Sequence, residues 1–282
     1  MRILVTGARG QLGNDAVAEL ESRGHDVIAA DVAEMDITDS AAVSSFIKSS
    51  APDAVIHCAA YTATEKAEEE PTVCERVNAL GTRNIAAVCR ELDIKLLYIS
   101  TDYVFDGQGE QPFKTDDAVA PLSVYGRTKY EGEVAVRELT DKHFIVRISW
   151  VFGLHGKNFV TTMLRLGQNG KVFAVNDQIG SPTYTRDLSV LLADMIASEN
   201  YGTYHATNEG LCSWYDFAKE IFAISRMDVE VVPVGADHFP SKIRRPANSR
   251  LDKSSLDAAG FARLPHWKDA LARYLEEIKE NN

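Results

Sequence analysis

The chain has 282 residues, a formal net charge of −11 and an apolar fraction of 45%. That length suits one large domain or two modest ones, and the acidic balance argues against nucleic acid or an anionic membrane as the main partner. Its four cysteines, Cys58, Cys74, Cys89 and Cys212, show no C-x-x-C spacing, and no apolar run approaches about 18 residues. With no charged-then-apolar signal pattern at the start, a cytoplasmic protein with free thiols is expected.

Residues 2–7 (RILVTG) are apolar and β-branched and end in glycine, which predicts a buried strand. A helix over about 11–23 and a strand over 26–31 follow. Thr38 or Asp39 caps a further helix, and then come a strand over 54–60, a helix over 78–93 and a strand over 95–101. A helix starting near Tyr125 and a strand over 144–150 complete the alternation. Strands that are almost continuously apolar, alternating with helices, predict a parallel sheet covered on both faces. The predicted fold is α/β: a Rossmann-like doubly wound sheet with a smaller mixed α/β C-terminal domain. Residues 1–150 are assigned to a dinucleotide-binding domain, with parts of 171–207 expected to return to it. Residues 151–282 are assigned mainly to substrate binding, with helices over 158–168, 185–198, 214–225 and 267–281 and strands over 202–208 and 229–234.

Ligands of open α/β sheets lie beyond the carboxyl ends of the strands, where each motif of interest falls. Gly7, Gly10 and Gly13 occupy the turn between the first strand and the first helix. Glycine there lets backbone N–H groups approach a pyrophosphate at a helix N-terminus. Asp31, eighteen residues after Gly13, suits the adenosine ribose hydroxyls of NADH, whereas Arg9 suits the 2′-phosphate of NADPH. The cofactor is therefore NADPH or NADH. Ala59 and Ala60 end the third strand and are small enough for a cofactor to lie against the backbone.

Tyr125 and Lys129 are four residues apart and share one helix face. A nearby ammonium would lower the phenol's pKa from about 10, making a general acid or base tuned towards neutral pH. Thr101 or Ser100, at the end of the fourth strand, offers a hydroxyl for a carbonyl oxygen, and Asp102 and Tyr103 either contact substrate or close a loop. Arg244, Arg245 and Arg250 gather the positive charge that an anionic substrate would need.

The stretches GARGQLG, CAAYTATEKAE, STDYVFDG, VYGRTKYEGE, RISWVFG, NFVTTMLRLG, DQIGSPTYTRDL and RRPANSRL span nearly the whole chain. Together they resemble the extended short-chain dehydrogenases/reductases, and within them the dTDP-4-dehydrorhamnose reductases. The resemblance implies Tyr125 as catalytic acid with Lys129 and Thr101 as partners. It also implies substrate contacts at Thr101, Asp102, Tyr103 and Trp150, which alone would read as core. Cofactor contacts would fall on Gly10, Gln11, Leu12, Asp31, Asp36, Ile37, Ala59, Ala60 and Tyr61. The expected substrate is dTDP-4-dehydro-L-rhamnose, and a homodimer is compatible with the family. Some members hold magnesium through interface glutamates, but here only Asp15 falls near such a position, and Arg186 stands where an acidic partner would be. No metal is expected. A dehydratase would carry Asp-Glu after the strand-end threonine, where this chain reads Asp102-Tyr103. An epimerase would share the threonine and tyrosine, and a non-catalytic regulatory subunit would not need them.

Overall fold

The apolar runs of the first half all become strands of one sheet in the computed structural model, which describes residues 1–281. Those strands are β1 (Arg2–Thr6), β2 (Asp26–Ala30), β3 (Ala54–His57), β4 (Lys95–Thr101) and β5 (His143–Ile148). The longer helices between them are α1 (Gln11–Ser22), α2 (Ser40–Ser50), α3 (Thr82–Leu92) and α4 (Val124–Leu139). Asp39 caps α2 by accepting the N–H groups of Ala41 and Ala42.

In the second half, β6 (Lys171–Val175) pairs with β8 (Glu230–Val234), while β7 (Gly202–His205) leaves that region and joins the outer edge of the large sheet beside β5. The sheet order is β7-β5-β4-β3-β1-β2, with every pair parallel. Its order reverses between β1 and β3, the switch point at which such sheets bind ligands.

Helices cover both faces because the strands are apolar on both. Leu12, Ala16 and Leu20 of α1 pack on one face with Leu188, Leu191 and Leu192 of α6 (Thr185–Ala197). Val43 and Ile47 of α2, Ile85 and Cys89 of α3, and Val136 of α4 pack on the other. A separate apolar cluster lies under α5 (Phe159–Gly167), α7 (Trp214–Ser225) and α8 (Trp267–Glu280), around Phe152, Phe217, Phe222 and Tyr274. Among the described residues no helix is long and apolar enough to cross a membrane.

Two irregularities lie in the segments that follow β3 and β5. The expected helix over 78–93 begins with a π-helical stretch, Arg76–Gly81, before α3. Trp150, just after β5, has φ 51°, a left-handed conformation that is uncommon for a bulky side chain. Strain of this kind concentrates at functional sites.

Candidate active site

The turn after β1 is built for close approach. Gly7 has φ 64°, and a Cβ there would lie 2.7 Å from the Ala59 backbone, so only glycine lets the ends of β1 and β3 meet. Above this contact opens a cavity of about 580 Å³. Its wall includes Gly7, Gly10, Gln11, Leu12 and Gly13 from the glycine turn and Asp31, Asp36 and Ile37 from the segment after β2. Ala59 and Ala60 after β3, Thr101 at the end of β4 with Asp102 and Tyr103 beyond it, Tyr125 and Lys129 on α4, and Trp150 after β5 also line it.

Two expected residues lie elsewhere. Tyr61 turns away: its backbone N–H donates to Asn78 Oδ1 at 2.8 Å and its hydroxyl to Glu70 Oε2 at 2.9 Å. Arg245 lines a second cavity, of about 1100 Å³, together with Arg244, Gln178 and Trp214. Trp150 of the first cavity stacks on Trp214 of the second, with ring centroids 3.7 Å apart, so a pair of indoles stands where the two cavities approach each other. Arg250 lines neither and donates to Asn248 Oδ1.

Ser123 starts α4 by accepting the Gly126 N–H at 3.1 Å, which puts Tyr125 in the first turn and Lys129 one turn on. Gly126, a poor helix former, has a packing reason. A Cβ at this position would collide with the Tyr103 carbonyl oxygen and sit 3.0 Å from its carbon. The turn carrying Thr101–Tyr103 thus rests directly on the α4 backbone, which holds the strand-end hydroxyl beside the tyrosine. Thr101 Oγ1 donates to Asp102 Oδ1 at 3.1 Å and accepts the Tyr103 N–H at 3.2 Å, and the Tyr103 ring meets Tyr125 edge-on at 5.6 Å.

The electrostatics depart from expectation. Burial pushes the Tyr125 phenol above its ordinary value, a hydrogen bond with Thr101 only partly opposes this, and Lys129 is not among the groups that lower it. Burial instead pushes Lys129 down to about 7, against the raising influence of Glu133, Cys58 and Cys74. The reason is that the tyrosine and lysine both lie in an apolar setting, where desolvation disfavours each charged form more than one partner restores it. Lys129 Nζ lies 4.1 Å over the Tyr98 ring. Asp102 is pushed up to about 6 by burial, and its Oδ2 is buried with no hydrogen-bond partner.

A lysine lowered to about 7 makes the fold less stable below its unfolded value of about 10.5, and the penalty grows as pH falls towards 7. Replacing Lys129 with methionine should therefore raise the melting temperature of cofactor-free protein, by more at pH 7 than at pH 9.5. An equal rise at both pH values would show that Lys129 titrates normally.

Spacing did not single out the support beneath this face. Glu133, one turn beyond Lys129, is fully buried, accepts Ser100 Oγ at 2.6 Å and is gripped at 2.8 Å by both Nε and Nη2 of the buried Arg147. The bidentate pair ties β5 to α4, and the Ser100 hydrogen bond ties β4 to it. The i+4, i+8 series Tyr125, Lys129, Glu133 was the available signal.

The comparisons with known proteins concern the family and the fold. Residues 1–280 match the family model described as RmlD substrate binding domain. This chain belongs to that family. It is 43% identical over 278 residues to a dTDP-4-dehydrorhamnose reductase of Streptomyces griseus, covering 96% of this chain and 91% of that protein. A crystal structure of a dTDP-4-dehydrorhamnose reductase from Clostridium acetobutylicum superposes with a TM-score of 0.97 at 42% identity, covering 99% of this chain and 100% of that one. A dTDP-4-dehydrorhamnose reductase from Bacillus anthracis, in complex with NADP, gives 0.95 at 42% identity, covering 98% and 99%. These two structures share the Rossmann-type fold of this chain over nearly their whole length.

Proposed function

We propose that this chain, an NAD(P)H-dependent oxidoreductase, reduces the C4 ketone of dTDP-4-dehydro-L-rhamnose to dTDP-L-rhamnose, with Tyr125 as the proton donor. The observation that carries the reading is that Tyr125, Lys129 and Thr101 share one cavity with the glycine turn. The cavity fits a dinucleotide: Gly7 lets the ends of β1 and β3 close beneath it, the N-terminus of α1 opens onto it, and Asp31 stands at its rim.

When bound, the cofactor supplies the hydride. The backbone at Gly10, Gln11 and Leu12 receives the pyrophosphate, Asp31 the adenosine ribose, and Asp36 and Ile37 the adenine side of the cavity. Thr101 orients the ketone oxygen, and Tyr125, kept protonated by its surroundings, donates a proton to it. Lys129 holds the nicotinamide ribose and, in its protonated form, stabilises the phenolate that remains. The unpartnered Asp102 Oδ2 accepts a sugar hydroxyl. Trp150 packs on the sugar, and the nucleoside diphosphate extends past the paired indoles into the second cavity, towards Arg244 and Arg245. In this reading residues 1–150 with β7 bind cofactor, and most of the remaining chain binds substrate.

The test is to supply purified protein with NADH or NADPH and the 4-keto sugar nucleotide. Stoichiometric cofactor oxidation with dTDP-L-rhamnose as product is expected. No oxidation with either cofactor, despite nucleotide binding, would contradict the assignment. Asp31→Ala should raise the KM for NADH more than that for NADPH, because only the unphosphorylated ribose offers Asp31 both hydroxyls. An equal rise for both would remove the ribose role.

A further inference from the structure

Asp31 stands between two cavities. It lines the large one, and it also lines a small one of about 330 Å³ together with Arg9, Asn14, Glu21 and Glu34. Arg9 and Glu34 are organised around it. The Arg9 backbone N–H donates to Asp31 Oδ2 at 3.2 Å, while Asp31 Oδ1 takes the Val32 N–H at 2.9 Å. Glu34 accepts the Asp31 backbone N–H on Oε2 at 2.9 Å and the Arg9 guanidinium on Oε1 at 2.5 Å. The Asp31 N–H, helped by Arg9, holds the Glu34 carboxyl below its usual range, so it is charged at neutral pH.

Arg9 is the only cation among the residues lining the small cavity, and it is tied to a carboxylate fixed at its other oxygen by backbone. Arg76, which lines neither of these cavities, lies near Asp36 and donates to Thr38 Oγ1 at 3.4 Å. A 2′-phosphate on a ribose held at Asp31 would enter a space with two carboxylates and no free positive charge. A 2′-hydroxyl there would simply donate to Asp31.

We propose that Glu34 determines cofactor choice by sequestering Arg9, so that the chain favours NADH. This inference rests on the reading that the large cavity holds a nicotinamide dinucleotide. Glu34→Gln keeps an acceptor for the Asp31 N–H and removes the charge that holds Arg9. An exposed ion pair of this kind is weak, so releasing it corresponds to about a five-fold gain for a ligand that Arg9 can then reach.

The experiment measures dissociation constants for NADH and NADPH by nicotinamide fluorescence, in wild type, Glu34→Gln, Arg9→Ala and the double variant. Glu34→Gln should tighten NADPH about five-fold and leave NADH within about two-fold. Arg9→Ala alone should change NADPH binding little, and in the double variant it should cancel the gain. An unchanged NADPH-to-NADH ratio in Glu34→Gln, or a gain that survives in the double variant, overturns the proposal while leaving the cofactor reading intact. Failure of the wild type to bind either nucleotide overturns both.

Discussion

Tyr125→Phe should leave NADH and NADPH binding close to wild type and reduce turnover by a factor of about 10² or more. The substitution removes one hydroxyl and keeps the ring that meets Tyr103 edge-on, so the cavity wall stays in place. What is lost is the proton donor hydrogen-bonded to Thr101, and its neighbours at the end of β4 do not replace it. Ser100 is committed to Glu133, and Asp102, pushed up to about 6, is largely ionised at neutral pH. Fluorescence titration of the nucleotides and single-turnover rates would separate binding from chemistry. Turnover within a few-fold of wild type would remove Tyr125 from the mechanism. Because burial raises the Tyr125 value, the phenol stays protonated across the neutral range, so its ionisation should impose no pH dependence on the reduction there.

The second large effect is expected at Gly126. On helix propensity alone, Gly126→Ala should stabilise the protein by about 1 kcal/mol. The contact with the Tyr103 carbonyl opposes this, because the obstacle is backbone and cannot rotate aside. Overpacking of this type costs about 1–3 kcal/mol, enough to cancel the gain or exceed it. More telling than stability is where the strain falls, since the turn that must shift carries Thr101, Asp102 and Tyr103. We expect a melting temperature no higher than wild type and a turnover loss of about tenfold or more, because displacement of a reacting group by a fraction of an ångström is costly. A more stable variant with full activity would show that the turn and helix are not coupled.

Much of the first half could be read from the chain because its information is local. Apolar runs of strand length, each followed by an amphipathic segment, mark β1 to β5 and α1 to α4, and the glycines at 7, 10 and 13 need only the preceding strand to acquire meaning. The Tyr125/Lys129 spacing likewise implies a shared face once the helix is granted. Features that depend on distant pairing were less visible. β7 looks like a strand, but its place beside β5, with Gly202 opposite Phe144, is a long-range choice. Nothing in the periodicity marks the π-helical turn at Arg76–Gly81, and nothing at Trp150 announces its left-handed backbone. The expected sign of the Tyr125 shift failed for a related reason: spacing shows that two groups are neighbours, but not how completely the fold removes water from them. Tyr61 and Arg245 show a similar limit, since the chain places each near the site while side-chain partners, Glu70 for one and Glu65 for the other, decide where it points.

The most direct test of hydride transfer to the sugar is a single turnover with reduced cofactor carrying deuterium at both hydrogen positions of the nicotinamide C4. Mass and NMR analysis of the sugar nucleotide should find one deuterium, at C4 of the rhamnose product, with oxidised cofactor released in equal amount. A sugar that carries no deuterium, or a cofactor that returns to its reduced form, would contradict the account.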